Sequence, residues 1–314
     1  MKKVLTIGEI LVEIMAVEPG QGFREAISLV GPFASGAPAI FIDQAAKFGQ
    51  PCALIGCVGK DDFGAVCVAR LKRDGVDVSA IGEDTERPTG SAFVRYRPDG
   101  ARDFVFNIRH SACAAVKATP QTEAAIAGCD HLHVMGTALF SDAIVQLTVD
   151  AIKKIRGRGG TISFDPNVRR EMLDLPGLRK ALDFVITQTD LFMPSGRELF
   201  LFSTAKTETE AAGDLLRRGM KAVVVKRGAE GAGYFDATNA ISVPAHPTEE
   251  IDPTGAGDCF GATFVSCWLR GLPPKQALAY ANAAGSLAVR KKGPMEGAST
   301  LAEIEALVAR SAAA

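Results

Sequence analysis

A short segment near the C-terminus combines a backbone turn with a carboxylate. Residues 252–258 read DPTGAGD, and the small residues at 255–257 let the backbone turn tightly and approach a ligand. Apolar side chains then recur at helical spacing over residues 260–268, which predicts a helix that buries one face. A helix N-terminus presents free N–H groups and a partial positive charge. The segment therefore predicts a place for a phosphate or for a phosphoryl group in transfer.

Asp258 is an unexpected residue for a site that only holds anions, because like charges repel. Its carboxylate makes chemical sense if it accepts a proton from a hydroxyl that attacks phosphorus. The alternative is that Asp258 is a first-turn helix residue favoured by the helix dipole. Composition alone does not separate these two interpretations.

The elements that must position this turn alternate along the chain. Apolar, β-rich runs at 4–8, 53–58, 131–134, 161–165, 191–193 and 222–226 predict strands. Helical patterns separate or follow them at 37–48, 62–73, 141–157, 207–218, 256–271, 274–291 and 300–311, and a further helix should start near Ser195. This alternation predicts a parallel sheet with right-handed crossovers.

Two hairpins interrupt the alternation. The runs 91–97 and 103–108 are joined by Pro98-Asp99-Gly100, and the runs 231–235 and 240–243 form the second pair. Polar residues alternate in the first hairpin, as in a small sheet with one wet face. We interpret the first hairpin as part of a lid over the main sheet.

Residues 252–258 resemble the C-terminal signature D-T-x-G-A-G-D of the ribokinase-like (PfkB) sugar kinases, with Pro253 in place of Thr. In that family the last Asp is the catalytic base and the Gly-Ala-Gly turn forms an anion hole. The resemblance therefore implies catalytic roles for Gly255, Ala256, Gly257 and Asp258.

Further stretches resemble family positions in the same order. Residues 8–13 resemble the G-E-x-x-[V/I]-[D/E] start, and residues 32–39 resemble the Gly-Gly element that touches the sugar, with Ser35 for one Gly and Ile40 for the usual Asn. Residues 164–169 resemble D-P-N-x-R, and residues 104–112 resemble the lid stretch of fructokinases and of 2-keto-3-deoxygluconate kinases. The implied substrate contacts are Glu13, Ser35, Gly36, Asn107, Arg109, Asn167, Arg169 and Asp258.

The nucleotide end of the site is implied by two more stretches. Residues 193–198 resemble N-x-x-E, whose Glu acts on the Mg²⁺ shell through water; Ser195 replaces the Asn, and Ser195 with Glu198 is also a capping-box pattern. Residues 225–231 resemble the nucleotide turn. The resemblance implies ATP and Mg²⁺, with K⁺ possible at Asp252. Implied nucleotide contacts are Ser195, Glu198, Lys226, Gly228, Gly231, Thr254, Gly255, Gly257 and Asn282.

The resemblance covers essentially the whole chain. It implies an α/β fold: a doubly wound, mostly parallel sheet with helices on both faces and a small β-sheet lid. The expected core comprises residues 1–10, 32–77 and 110–314, and the expected lid comprises 11–31 and 78–109. Dimerisation through the lid is a family-level expectation.

The substrate is less determined than the reaction. Arg109 could hold a carboxylate or a hydroxyl, whereas Asn107 stands where sugar-acid kinases often place an aromatic hydroxyl. We therefore expect a ketohexose of the fructose or tagatose kind, with 2-keto-3-deoxygluconate as the alternative. A non-catalytic sugar or nucleotide sensor on the same scaffold is a different class, disfavoured because Asp258, Glu198 and the turn are all retained.

Composition excludes several other classes. The 314 residues carry 35 basic and 36 acidic side chains, so nucleic-acid or membrane-surface binding lacks its usual electrostatic basis. The seven cysteines form no CxxC and predict reduced, buried thiols. No apolar run has the length needed to span a bilayer, and Glu9 and Glu13 interrupt the apolar stretch after Lys2 and Lys3, so a cytoplasmic protein is expected. His131 and His133 share a strand face, as metal ligands might, but no acid or Cys motif accompanies them, so structural packing is the preferred interpretation.

Overall fold

The strands predicted for the main sheet are present, and two helices, Pro120–Ala127 and Leu178–Gln188, were not predicted. The structure is a computed structural model that describes residues 1–20, 22–97, 102–168 and 177–313. The strands are β1 (Val4–Ile7), β2 (Leu11–Ala16), β3 (Leu29–Ser35), β4 (Cys52–Gly59), β5 (Ile81–Asp84), β6 (Gly90–Tyr96), β7 (Arg102–Asn107), β8 (His131–Met135), β9 (Thr161–Asp165), β10 (Leu191–Phe192), β11 (Ala222–Lys226), β12 (Ala232–Phe235) and β13 (Ala240–Val243). The helices are α1 (Ala37–Lys47), α2 (Asp62–Arg73), α3 (Pro120–Ala127), α4 (Asp142–Gly157), α5 (Leu178–Gln188), α6 (Glu208–Arg217), α7 (Ala256–Leu269), α8 (Pro274–Ala288) and α9 (Leu301–Ala313).

A large sheet runs through the centre of the described residues, with nine strands in the order β13-β12-β11-β10-β9-β8-β1-β4-β5. The strands from β11 to β5 in this order are parallel, and β12 and β13 form the predicted antiparallel hairpin at one edge. Every residue of β1, β4, β8, β9 and β11 is buried. Such continuous burial is expected of parallel strands covered on both faces.

Helices cover both faces of this main sheet. One apolar cluster joins it to α1, α7 and α8 through residues such as Phe41, Phe264 and Leu278. A second cluster on the opposite face includes Ile152 of α4 and Leu215 of α6. The predicted α/β fold with helices on both faces is therefore confirmed.

A separate four-stranded sheet, in the order β3-β2-β6-β7, lies beside the main sheet; we call it the small sheet. The predicted strands 91–97 and 103–108 are its antiparallel pair β6 and β7, whereas the turn 98–100 lies outside the described residues. The small sheet differs from the predicted lid at two places: β5 pairs with β4 in the main sheet, and β3 continues to Ser35.

The short strand β5 carries no apolar pattern from which its sheet could be predicted. Gly31-Pro32 in β3 resembles the end of a strand, but β3 is an edge strand, and edge strands tolerate proline.

All seven cysteines are buried free thiols, as predicted. Among the described residues, no helix combines the length and the apolar character needed to cross a bilayer.

Candidate active site

A cleft of about 1550 Å³ opens between the small sheet and the carboxyl ends of the main-sheet strands. Small-sheet residues such as Glu13 and Arg102 line one side, and Asn167, Lys226 and Asp258 line the other. The carboxyl edge is where open α/β sheets bind ligands. The fold therefore brings the predicted sugar contacts and the predicted phosphoryl site to one cavity.

The turn before α7 has the geometry of an anion site. Gly255 caps the helix at φ 81°, and a Cβ there would collide with the carbonyl oxygen of Pro294, so only glycine fits. The N–H of Ala256 donates to Pro253 O at a long 3.4 Å. Within the described chain, the N–H groups of Gly255 and Gly257 donate to no backbone carbonyl. This turn therefore offers donors to a bound anion.

Asp258 lines the cleft and is 7% exposed. Its Oδ1 accepts a hydrogen bond from Nδ2 of Asn167 at 3.3 Å. Asn167 follows β9 with φ 40°, a left-handed conformation that asparagine tolerates better than most residues. The contact fixes one oxygen of the carboxylate at the cavity wall. Arg169, predicted to lie nearby, is outside the described residues.

A buried ion pair lies behind the turn. Lys226, at the end of β11, pairs with Asp165, at the end of β9. Burial alone would lower the pKa of Lys226, but the charges of Asp165 and Glu198 outweigh burial and raise that pKa. The Lys226 Nζ lies 3.7 Å from where a Cβ on Gly257 would be, so a fixed positive charge stands beside the anion site.

Glu198 is held by two backbone amides. Its carboxylate accepts the N–H of Ser195 at 2.7 Å and that of Val168 at 2.8 Å. Burial, and then the neighbouring negative charge of Asp165, raises the pKa of Glu198. The helix predicted from Ser195 is instead a 3₁₀ helix over Gly196–Leu201. The two hydrogen bonds to the Glu198 carboxylate hold the chain in this short turn.

The oxygen atoms in this region suit a hard cation. Asp165 Oδ1 is buried and has no hydrogen-bond partner among the described residues, and Glu198 lies close enough for its pKa to respond to Asp165. Carboxylate oxygens are the ligands that Mg²⁺ prefers. The residues present therefore fit Mg²⁺.

The sugar end of the cleft is polar at its base. Ser35 Oγ donates to the Glu13 carboxylate at 2.7 Å, and both residues are buried. A Cβ on Gly36, at φ 108°, would strike the carbonyl oxygen of Glu9. Asn107 Nδ2 donates to Ser91 Oγ at 3.3 Å, and Arg109 is exposed at the rim. All of these residues line the same cavity as Asp258.

Other predicted residues do not line the cleft. Asn282 donates to the carbonyl oxygens of Val243 and Pro244, and Gly228 and Gly231 flank the turn after β11. The Asp252 carboxylate accepts the N–H of Thr254 at 3.0 Å and that of Gly293 at 2.9 Å. Asp252 therefore connects the turn before α7 to the segment 293–296. Ala256 and Glu198 are likewise not among the residues that line the cleft.

The family model of the pfkB family carbohydrate kinases matches residues 1–301. The chain belongs to the pfkB family of carbohydrate kinases. It is therefore a phosphotransferase that acts on a sugar, as its resemblance predicted.

Relatives of this pfkB-family kinase carry different sugar names. It is 29% identical to "Probable fructokinase-5" of Arabidopsis thaliana, over 97% of each chain. It is 31% identical to a 2-dehydro-3-deoxygluconokinase of Thermoproteus tenax, over 98% of this chain and 94% of that one. The crystal structure of a "putative Ribokinase II" of E. coli, in complex with ATP and Mg²⁺, is 47% identical, covers 99% of this chain and 100% of its own, and has a TM-score of 0.93. These relatives therefore do not decide between the candidate sugar substrates.

Two residues near the site of this pfkB-family kinase were missed by the sequence analysis. Asp165 is fully buried at the carboxyl end of strand β9, and its place at the end of a predicted buried strand was the available signal. Arg102 reaches the cleft from β7, and nothing in the local sequence separates it from neighbouring arginines.

The two histidines of β8 pack inside the protein, as preferred above. His131 bonds Thr161 at 2.8 Å and Ser163 at 2.7 Å, and His133 bonds Ser163 at 2.7 Å. Burial lowers the pKa of both rings. No group of three metal-ligating side chains occurs in the described ranges.

The segment 293–296 beside the turn is held by a charged cluster. Arg70 on α2 donates to Met295 O at 2.7 Å and pairs with Glu296 at 2.8 Å. The same guanidinium contacts Asp74 at 2.8 Å and the buried Asp43 of α1 at 3.3 Å. Burial raises the pKa of Asp43 to about 7, although Arg70 opposes the shift.

Asp43→Asn should flatten the pH dependence of stability. The unfolded chain ionises Asp43 near pH 4, whereas the folded protein keeps its proton until about pH 7. Stability from this group is therefore present at low pH and is lost as pH rises towards 7. Between pH 5 and 8 the unfolding free energy of the unmodified protein should fall by about 2 kcal/mol more than that of the variant. Urea titrations across this range measure both, and parallel profiles would contradict the assignment.

Proposed function

We propose that this pfkB-family kinase transfers the γ-phosphoryl group of ATP to a hydroxyl of a ketohexose of the fructose or tagatose kind. The observation that carries the proposal is a single cleft with Asp258 and the anion-binding turn at one end and the Glu13–Ser35 pair at the other. A sugar hydroxyl beside Asp258 would then lie next to a phosphoryl group in the turn.

In this mechanism Asp258 takes the proton of the attacking hydroxyl. The N–H groups of Gly255 and Gly257 donate to the transferred group, and that of Ala256 joins them by giving up its long bond to Pro253 O, while Lys226 adds a positive charge. The Asn167 amide keeps the Asp258 carboxylate turned to the cleft. Closure of the small sheet as a lid would exclude water, which otherwise competes with the sugar for the phosphoryl group.

Metal and nucleotide contacts follow from the same arrangement. Glu198, through water, and Asp165 would hold Mg²⁺, which when bound neutralises charge on the phosphate oxygens. Ser195, Thr254, Gly228, Gly231 and Asn282 are proposed nucleotide contacts. A monovalent cation beside Asp252 is also proposed, supported by a buried carboxylate that accepts two backbone N–H groups. Rates in potassium chloride and in tetramethylammonium chloride would measure its effect.

Hydrogen-bond acceptors at the sugar end support a substrate rich in hydroxyl groups. Glu9 and Glu13 both line the cleft and are 4% and 6% exposed. Sugar hydroxyls can donate to carboxyl oxygens of these residues. The exposed Arg109 at the rim supports the alternative, 2-keto-3-deoxygluconate, because a guanidinium binds a carboxylate through paired donors.

A sugar panel with a coupled ADP-release assay tests the substrate proposal. We expect the highest kcat/KM with fructose or tagatose, above that with 2-keto-3-deoxygluconate and ribose. Arg109→Ala should change kcat/KM for the ketohexose by less than about tenfold, since a neutral hydroxyl makes the weaker bond with a guanidinium. Highest activity with the sugar acid, together with a much larger loss in Arg109→Ala, would contradict the ketohexose proposal.

Two further properties are proposed for the whole protein. A homodimer through the small sheet is supported by exposed apolar residues on its strands, Leu29 and Val30 on β3 and Val105 and Phe106 on β7. A molecular mass equal to that of one chain, measured by sedimentation in solution, would contradict the homodimer. A cytoplasmic location is supported by the seven free thiols and is measured by cell fractionation.

A further inference from the structure

One end of the small sheet touches the segment that leads into the phosphoryl-binding turn. Tyr96 of β6 and Arg102 of β7 face each other in the strand register. Arg102 Nη1 donates to Thr254 Oγ1 at 2.6 Å, across 152 residues of sequence. Burial, and then the nearby negative charge of Asp252, raises the pKa of Tyr96. Both residues of this pair therefore interact with the segment 252–254, Arg102 through Thr254 and Tyr96 through Asp252.

Arg102 differs from the other arginines of the small sheet. Arg95 and Arg97 both pair with Asp103, within the sheet itself. Arg102 forms no ion pair with a carboxylate in the ranges that the structure covers, and its guanidinium lies 5.7 Å from the centre of the Phe104 ring. The side chain is thus supported on one side by the sheet and extends to the opposite wall of the cleft.

The contact with Thr254 has a specific consequence for the turn. Thr254 directly precedes Gly255, lines the cleft and is 9% exposed. A hydroxyl carries one proton and two lone pairs, so accepting from Arg102 leaves the proton free to be donated elsewhere. A hydroxyl that accepts from a cation is also polarised into a stronger donor.

We propose that Arg102 is a positioning residue, which orients the Thr254 hydroxyl as a donor to the phosphoryl group in the turn. The phosphoryl site is then complete only while Arg102 of the small sheet contacts Thr254. This inference rests on the proposed function, because it needs a phosphoryl group in the turn. It makes the contact between the small sheet and the turn a condition for transfer.

Kinetics of matched variants test the coupling. Arg102→Ala and Thr254→Val should each lower kcat by about 10- to 50-fold, the loss expected for one charge-assisted hydrogen bond. The KM for ATP should stay within about threefold, because the contact serves the group in transfer. The double variant should be no slower than the single ones, since both break the same contact. Thr254→Ser, which keeps the hydroxyl, should recover most of the kcat lost in Thr254→Val.

Arg97→Ala is the control, because it removes an arginine of the small sheet that pairs with Asp103 instead of Thr254. Its kcat should match that of the unmodified protein. Losses that add in the double variant, or an equal loss in Arg97→Ala, would overturn the proposal.

Amide hydrogen exchange of residues 252–258 in the ligand-free protein gives a readout that needs no activity. Exchange should be at least about threefold faster in Arg102→Ala and Thr254→Val than in Arg97→Ala, because the turn loses its contact with the small sheet. Unchanged exchange would overturn the coupling. If the unmodified protein phosphorylates no sugar, the proposed function fails, and hydrogen exchange alone then decides whether Arg102 holds the turn.

Discussion

Asp258→Asn should lower kcat by at least about 100-fold, the contribution expected of a general base. Asparagine has the same shape and still accepts the hydrogen bond from Asn167, but it cannot take a proton from the sugar hydroxyl. ATP should bind the variant with little change, because the turn amides are untouched. Steady-state kinetics and calorimetric titration with ATP measure the two quantities.

The matched control is Asp62→Asn. Asp62 is also an acidic residue in the first turn of a helix, α2, but it is exposed and lies outside the cleft. Its loss should cost about 0.3–1 kcal/mol of stability through the helix dipole and leave kcat unchanged. If Asp258→Asn behaved in the same way, Asp258 would be an ordinary first-turn residue, and the proposed mechanism would be wrong.

Lys226→Met should produce the largest loss of stability among single substitutions at the site. It leaves the Asp165 carboxylate buried with no cation, and breaking a buried pair in this way costs about 3–5 kcal/mol. The double variant Lys226→Met/Asp165→Asn removes the stranded charge, so it should regain about 2 kcal/mol or more of the free energy of unfolding. Urea denaturation of both proteins measures the difference.

Lys221→Met provides the control for this pair. Lys221 contacts Asp190 at 3.2 Å, but its side chain is 57% exposed, so the same substitution should cost less than about 1 kcal/mol. Equal losses at Lys226 and Lys221 would show that solvent reaches the Lys226–Asp165 pair. A double variant less stable than Lys226→Met would likewise contradict the account.

Features that depend on neighbouring residues were predictable. The Ser195–Glu198 pair spans three residues, and the bond from the Ser195 N–H to the Glu198 carboxylate is present. The α7 helix begins at Ala256 after the glycine-rich turn, close to its predicted start. The hairpin strands β6 and β7 and the buried parallel strands also follow from patterns repeated over a few residues. Each pattern reports on local backbone geometry, so the sequence alone determines it.

The predictions were wrong where the local structure depends on contacts with residues far along the chain. The strand β5 fell within the predicted lid range but joins β4 of the main sheet. Its four residues carry little apolar pattern, and the position of the chain after α2 decides the pairing. The helix predicted from Ser195 is a 3₁₀ turn, because bonds from Ser195 and from distant Val168 to Glu198 tie the chain back.

The sequence by itself determined the alternating α/β order, the glycine-rich turn and the carboxylate that follows it. Only the tertiary structure decided which residues surround that carboxylate. Asn167 reaches Asp258 across 91 residues, Lys226 reaches Asp165 across 61, and Arg102 reaches Thr254 across 152. These contacts depend on the order of strands in the sheet and on how the small sheet sits over it. Strand order is set by packing of the whole chain, and no local spacing encodes it.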